Sequence, residues 1–246
     1  MLYFTENNVI NQTLAPYSEC SKRARRELQK MWGVFYADAQ SVLELRALWP
    51  KGVPGGNFPL VRHYGPDQYP SLDSRKAAFE EDALSLNTKG YNIYTLLNPL
   101  KQVLPDNNGA KNSDIQRRCL LLVDIDRTSE TSEPATDAEV AAAKLLAIQI
   151  RDFMRDHHWP EPIAVMSGNG YHLYFALGDI GNDDGTSSLI KSVLAVLASK
   201  FNNSNVSVDT CVHNASRITK VPGTVMRKGI ESEARPYRMA EVCHDL

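Results

Sequence analysis

The chain has 246 residues, a formal net charge of −2, 43% hydrophobic residues and 23% charged ones. These proportions suit a folded globular protein of one large domain or two small ones. They exclude a low-complexity chain and a strongly basic nucleic-acid tail; with no apolar run near ~18 residues, they give no sign of a membrane-spanning helix. Nothing at the N-terminus resembles a signal peptide. The four cysteines (Cys20, Cys119, Cys211, Cys243) form no CxxC pair, which reads as reduced thiols in a cytoplasmic protein rather than a zinc site or disulfide framework. Charge is uneven. Residues 124–184 hold twelve acids and four bases, and residues 210–238 hold six bases and two acids. Such regions suit cations and phosphates respectively, though ordinary surface charge has the same look.

In chain order, residues 1–20 are polar and without period. Lys22, Arg23, Arg25 and Arg26 form a basic run, expected as a solvated helix face. The spacing predicts a helix over 23–48, stopped by Trp49-Pro50, and a Gly/Pro loop over 51–59. A short strand follows at 60–64, then a helix from Ser71 to about Leu86, closed by Lys89-Gly90. Alternation over Asn92–Leu97 predicts a strand ended by Asn98-Pro99, and 101–117 reads as a loop. Five of the six residues from Arg118 to Val123 are apolar and lead into Asp124-Ile125-Asp126, the pattern of a buried strand. Thr136 and Glu139 have capping-box spacing for a helix to about His157, with Leu145, Ile148 and Met154 on its apolar stripe. Pro162–Met166, the turn Ser167-Gly168-Asn169-Gly170 and Tyr171–Leu177 predict a hairpin. Leu189, Val193, Leu197 and Phe201 predict a second amphipathic helix. Val206–Val208 is a short strand ending on Asp209, and 236–242 suits an edge strand. From Asp124 onward the order is strand, helix, hairpin, helix, strand. That is an α+β fold with a mixed or antiparallel central sheet and packed helices, akin to an RNA-recognition or palm-type topology. No P-loop and no dinucleotide-binding glycine motif is present.

Three stretches carry chemistry. Alternate strand residues share a face, so Asp124 and Asp126 are neighbours. Two close carboxylates repel unless a cation lies between them, and hard oxygen ligands suit Mg²⁺ or Mn²⁺; a plain strand end reads the same way. Asp209 at another strand end is either a third ligand of a two-metal site or a turn former. Ser167 through His172 is either a phosphate nest of backbone amides or a hairpin turn with a strand histidine. Arg217 and Lys220, soon after Asp209, suit phosphate neutralisation or an ordinary basic loop.

Taken jointly, these stretches resemble the catalytic motifs of the archaeo-eukaryotic primase superfamily, especially primase-polymerase domains of bacteria, phages, plasmids and CRISPR-associated systems. Asp124-Ile-Asp126 matches the first motif, Ser167 through His172 the second and Asp209 the third. Asn214, Arg217, Lys220, Gly223 and Thr224 fit the Asn-x-x-Arg-x-x-Lys-x-x-Gly-Thr pattern of the primase-polymerase subgroup. Gly90–Pro99 is similar to an upstream strand of that subgroup. The Ser-to-His gap is wider than in many relatives, which makes His172 the safer ligand, and the zinc-binding cysteine cluster of some relatives is missing.

The resemblance implies a template-dependent nucleotidyltransferase, a DNA primase or DNA polymerase, with a palm-like catalytic core. One domain is expected over 1–246, with a helical accessory part over 1–89 and the core over 90–242. Asp124, Asp126 and Asp209 would hold two Mg²⁺ or Mn²⁺ ions. Ser167, the Gly168 amide, His172, Asn214, Arg217 and Lys220 would bind the nucleotide, with Tyr94 and Asn98 as weaker candidates. The implied partners are a single-stranded DNA template with or without a primer, NTP or dNTP substrates, and a helicase or other replication domain in a longer polypeptide. Two rival readings stand: another Asp-x-Asp enzyme such as a metal-dependent phosphohydrolase or glycosyltransferase, and an inactive single-strand-binding module on the same fold.

Overall fold

The computed structural model describes residues 17–35, 38–56, 58–105, 107–129, 132–244 and 246. In chain order they form α1 (Tyr17–Met31), β1 (Leu43–Leu48), β2 (Leu60–Tyr64), α2 (Leu72–Thr88), β3 (Asn92–Leu96), β4 (Arg118–Arg127), α3 (Asp137–Asp156), β5 (Ile163–Met166), β6 (Tyr171–Ile180), α4 (Asp184–Phe201) and β7 (Val206–Val208). Four short strands follow: β8 (Ile218–Lys220), β9 (Val225–Met226), β10 (Arg238–Met239) and β11 (Glu241–Cys243). This is the expected α+β class. Every strand pairing among the described residues is antiparallel.

Two sheets carry the fold. One has the order β2-β1-β3-β8 and the other β11-β5-β6-β4-β7. In the second sheet, Leu121, Val123 and Ile125 of β4 share a face with Phe175, Leu173 and Tyr171 of β6 by register. That face is apolar and packs on α3, with α4 against β7 and α3, so burial of these side chains fixes which face is left for Asp124 and Asp126. The helices start where local chemistry allows. Ser71 accepts from the Ser74 amide, Thr136 and Glu139 form the predicted capping box, and Asp183 accepts from the Thr186 amide.

Three expectations change. The predicted helix over 23–48 is α1, a turn and then β1. Leu45 and Ala47 are buried with Phe79 and Ala83, while Glu44 and Arg46 lie on the opposite face; this period of two is a strand's. The stripe of α4 is Ile190, Leu194 and Leu197, with Leu189 exposed. That of α3 is Ala143, Leu146, Ala147, Ile150 and Met154, with Leu145 exposed. Met154 and Leu197 are buried as expected, and the rest of each stripe lies about one residue from the predicted positions. The Lys22–Arg26 run is exposed around the buried Ala24, as expected. Cys211 and Cys243 are free thiols and Cys119 is buried; the side chain of Cys20 lies outside the described residues. No helix among the described residues is long and apolar enough to cross a membrane.

Asn98 joins the parts. Its buried side-chain Nδ2 donates to the Ala215 carbonyl at 3.0 Å, and its Oδ1 accepts from the Cys119 amide at 2.9 Å. It therefore links the end of β3, the start of β4 and the loop before β8. Asn98 does not line the cleft described below, so its role here is structural. Asn98→Ala strips two buried backbone groups of this partner and is expected to lower unfolding free energy by about 2–4 kcal/mol. Denaturant unfolding measures this, and a loss within about 0.5 kcal/mol would contradict the assignment.

Candidate functional site

The site grows from β4. Asp124 and Asp126 lie on the face away from α3 and α4, and Asp124 pairs directly with His172 across the β4–β6 ladder. Asp124 Oδ1 is 3.3 Å from His172 Nε2, yet it is shielded from water and accepts no hydrogen bond. A buried carboxylate oxygen left in that state is costly unless something else fills its coordination. The far side of the imidazole is held firmly. His172 Nδ1 lies 3.0 Å from the Tyr174 hydroxyl and 3.2 Å from Thr219 Oγ1, and those two oxygens are 2.6 Å apart. Burial alone would lower the pKa of His172; the charges of Asp124 and Asp126 outweigh it and raise the value.

Asp126 opens onto the cleft but is crowded by its walls. Burial first, then the charge of Asp124, pushes its pKa up to about 6. The hairpin turn presses against it: a Cβ on Gly170 would fall 2.1 Å from the Ile125 carbonyl and 2.4 Å from Asp126 Oδ1. Only glycine lets the turn lie there. Gly168, at φ 108°, faces Met226 instead, and its amide donates to Met166 Sδ.

A cleft of about 560 Å³ lies between the β3–β8 edge of the first sheet and the acid-bearing face of the second. Asp124, Asp126, Ser167 and His172 line one side, and Tyr94, Arg217, Thr219 and Lys220 another. Lys220 is 2% exposed, donates to the Val225 carbonyl at 3.2 Å and sits 5.7 Å from the Tyr94 ring centroid. Burial, and then the neighbouring Arg227, holds its pKa well below the ordinary lysine range. Arg217 is aimed by its own loop, with Nε donating to Asn214 Oδ1 at 2.9 Å and a second nitrogen to the Cys211 carbonyl at 2.7 Å.

Six of the nine sequence-chosen site residues thus meet at one cleft: Asp124, Asp126, Ser167, His172, Arg217 and Lys220. Three stand differently. Asn214 orients Arg217 and is not in the lining, and the Gly168 amide is turned to sulfur. Asp209 stands opposite Asp124 on the backbone, its amide donating to the Asp124 carbonyl at 2.9 Å, but its Oδ1 accepts from the Cys211 amide. No cluster of three His, Cys, Asp or Glu side chains placed to hold a metal occurs among the described residues. Sequence reasoning missed Asn92, Arg227 and Lys228, which also line the cleft. The signal was a basic stretch running past Gly223-Thr224, where the motif ends.

No family model matches the chain, and no curated protein matches it. Among solved structures, the polymerase domain of Mycobacterium tuberculosis ligase D in complex with DNA superposes with a TM-score of 0.51. It is 17% identical, and the match covers 90% of this chain and 80% of that one. The chain shares the fold of that polymerase domain. Two weaker likenesses, each at 12% identity, accompany it. The primase-polymerase AEP domain of cyanophage S-2L has a TM-score of 0.48 with 89% of each chain covered. Primase RepB′ has a TM-score of 0.46 with 92% of this chain and 56% of that one covered. At these identities the likeness is one of fold. Within this fold, the acids come from the middle strands of one sheet and the bases from the edge of the other.

The raised pKa of Asp126 has a stability consequence with a definite sign. The folded chain keeps a proton that the unfolded chain, with a carboxyl pKa of about 3.9, releases. Stability should therefore fall as pH rises from about 4 to about 6. In metal-free buffer, Asp126→Asn is expected to melt above the native chain at about pH 8, with the gap closing toward pH 4. A variant melting lower at pH 8 would mean that the carboxylate stabilises the fold.

Proposed function

We propose that the cleft binds a nucleoside triphosphate beside a divalent cation and transfers the nucleotide to a growing strand on a single-stranded DNA template. The observation that supports this most is charge placement. Two carboxylates on one strand face, one with a shielded oxygen that accepts no hydrogen bond, confront Arg217 and Lys220 across a single cleft. Among the described residues, no carboxylate lies within ion-pairing distance of either base. The donor set fits the metal: Asp124 and Asp126 would hold Mg²⁺ or Mn²⁺, and Asp209, opposite Asp124 in register, would join them once its carboxylate leaves the Cys211 amide.

In the reaction, the 3′-hydroxyl oxygen forms a bond to the α-phosphorus, the bond to the β-phosphate oxygen breaks, and pyrophosphate departs. Divalent ions held by Asp124 and Asp126 would acidify the 3′-hydroxyl, whose proton would pass to solvent, and would stabilise the charge on the departing pyrophosphate. Arg217, pre-aimed by Asn214, clamps phosphate oxygens through its planar fork, and Lys220 adds a point charge. His172, fixed by Tyr174 and Thr219, holds Asp124 in place and offers Nε2 to the phosphates. Ser167 lines the same wall. Tyr94, whose phenol burial pushes up to about 12, stays neutral and shapes the floor. Template affinity is expected to fall with salt.

A second reading has one observation behind it: Asp209 is engaged with its own loop, which suits a single-strand-binding module without catalysis. A primer-extension assay separates the two. With Mg²⁺ or Mn²⁺, a single-stranded template and labelled nucleotides, the native chain is expected to release pyrophosphate in step with strand growth. Asp124→Ala should drop synthesis to background while melting as a folded protein. Free-phosphate release without strand growth would indicate a phosphohydrolase. Template binding with no product would leave the binding module.

A further inference from the structure

The segment after Thr224 crosses the rim of the cleft, and two asparagines fix it there. Asn87 Nδ2 donates to the Val225 carbonyl at 2.9 Å and Asn87 Oδ1 accepts from the Val225 amide at 2.9 Å. Asn92 repeats the pattern on Arg227, with both bonds at 2.8 Å. A carboxamide carries the donor and acceptor of a peptide group, so each asparagine stands in for a missing strand neighbour. Both are buried. Such two-way pairing holds the Arg227 backbone firmly, far more than a surface arginine needs.

The side chain so placed is electrostatically unfinished. Arg227 lines the cleft, and its Nη1 is shielded from water without a hydrogen-bond partner. No carboxylate among the described residues lies within ion-pairing distance of it. Glu231, on the following loop, contributes a favourable field, but its Oε2 accepts from the Tyr237 amide. The neighbouring charge is Lys220, which is buried and without a carboxylate partner, and the two cations disfavour each other. A half-buried guanidinium with one shielded, unpartnered nitrogen, set beside the buried Lys220 amine, is destabilising. The fold nevertheless spends two asparagine side chains on keeping it in position, and a phosphate is the anion whose geometry its planar fork matches.

We infer that Arg227, held by Asn92, is a further phosphate-binding residue of the cleft and acts with Lys220 on the phosphates of the bound nucleotide. This rests on the triphosphate reading above. It extends the binding surface past the last residue of the recognised motif pattern, to a position that no motif marks.

Arg227→Gln and Arg227→Lys test it. The readouts are melting temperature, equilibrium binding of a fluorescent nucleoside triphosphate with Mn²⁺, and binding of a labelled single-stranded oligonucleotide across a salt series. Arg227→Gln is expected to melt at or above the native temperature while binding nucleotide at least about 10-fold more weakly. Arg227→Lys should fall between, since it keeps charge and loses the fork. Oligonucleotide affinity and its salt slope should not change. Native-like nucleotide affinity in a folded Arg227→Gln variant overturns the inference. So does a salt slope lowered by about 1 with nucleotide affinity intact, because the phosphate would then belong to the strand. A melting temperature that falls in both variants, with nucleotide affinity kept in Arg227→Lys, would make the residue structural. If the native chain binds no nucleotide at all, the triphosphate reading falls and takes this inference with it; equal binding by native and variant chains sinks this inference alone.

Discussion

Two carboxylates two residues apart on the same face of one strand are the constraint around which the rest is arranged. Apolar burial decides it: Leu121, Val123 and Ile125 must face α3, so Asp124 and Asp126 must face the cleft together. Their mutual repulsion is then met piece by piece. His172 stands opposite Asp124, and the charges of Asp124 and Asp126 hold its pKa above the ordinary value despite burial. Asp126 resists ionisation. Asp124 Oδ1 is then shielded from water and met by His172 Nε2 at 3.3 Å without a hydrogen bond, a weakly engaged oxygen that a ligand would satisfy.

The opposing charges come from the other sheet. Thr219 bonds Tyr174 and His172, so the β8 edge is stitched to β6 beneath the cleft floor. Residues either side of that stitch, Arg217 and Lys220, are thereby set facing the acids. Asn98 fixes the loop that precedes them, while Asn87 and Asn92 fix the segment that follows. Three buried carboxamides thus position three cations. Such networks are expensive when incomplete and rigid when complete, which favours a site shaped before its ligand arrives.

Much of this was legible in the sequence because it depended on local pattern. The apolar run before Asp124, the Ser167–Gly170 turn, the Thr136 capping box and the Arg217–Lys220 spacing all translate directly into backbone geometry. Other features depended on partners far along the chain. The helix propensity of 33–48 is overridden because β1 pairs with both β2 and β3. The buried stripes of α3 and α4 are set by where the sheet lies, which period alone does not reveal. Asp209 is in register as its position suggests, but its side chain answers to the nearer Cys211 amide. Arg227 was invisible because its importance comes from Asn92, 135 residues earlier.

The central claim is that the acids and bases of this cleft serve one ligand, a metal-bound nucleotide. Calorimetric titration with a non-hydrolysable nucleoside triphosphate, with Mn²⁺ and with chelator, tests it on the native chain and on the Asp124→Ala/Asp126→Ala variant. The account predicts that Mn²⁺ tightens nucleotide binding to the native chain by at least about 10-fold, that nucleotide tightens Mn²⁺ binding by the same factor, and that the coupling disappears in the variant. Nucleotide affinity that is indifferent to Mn²⁺ in the native chain, or a metal effect equal in both proteins, would contradict it.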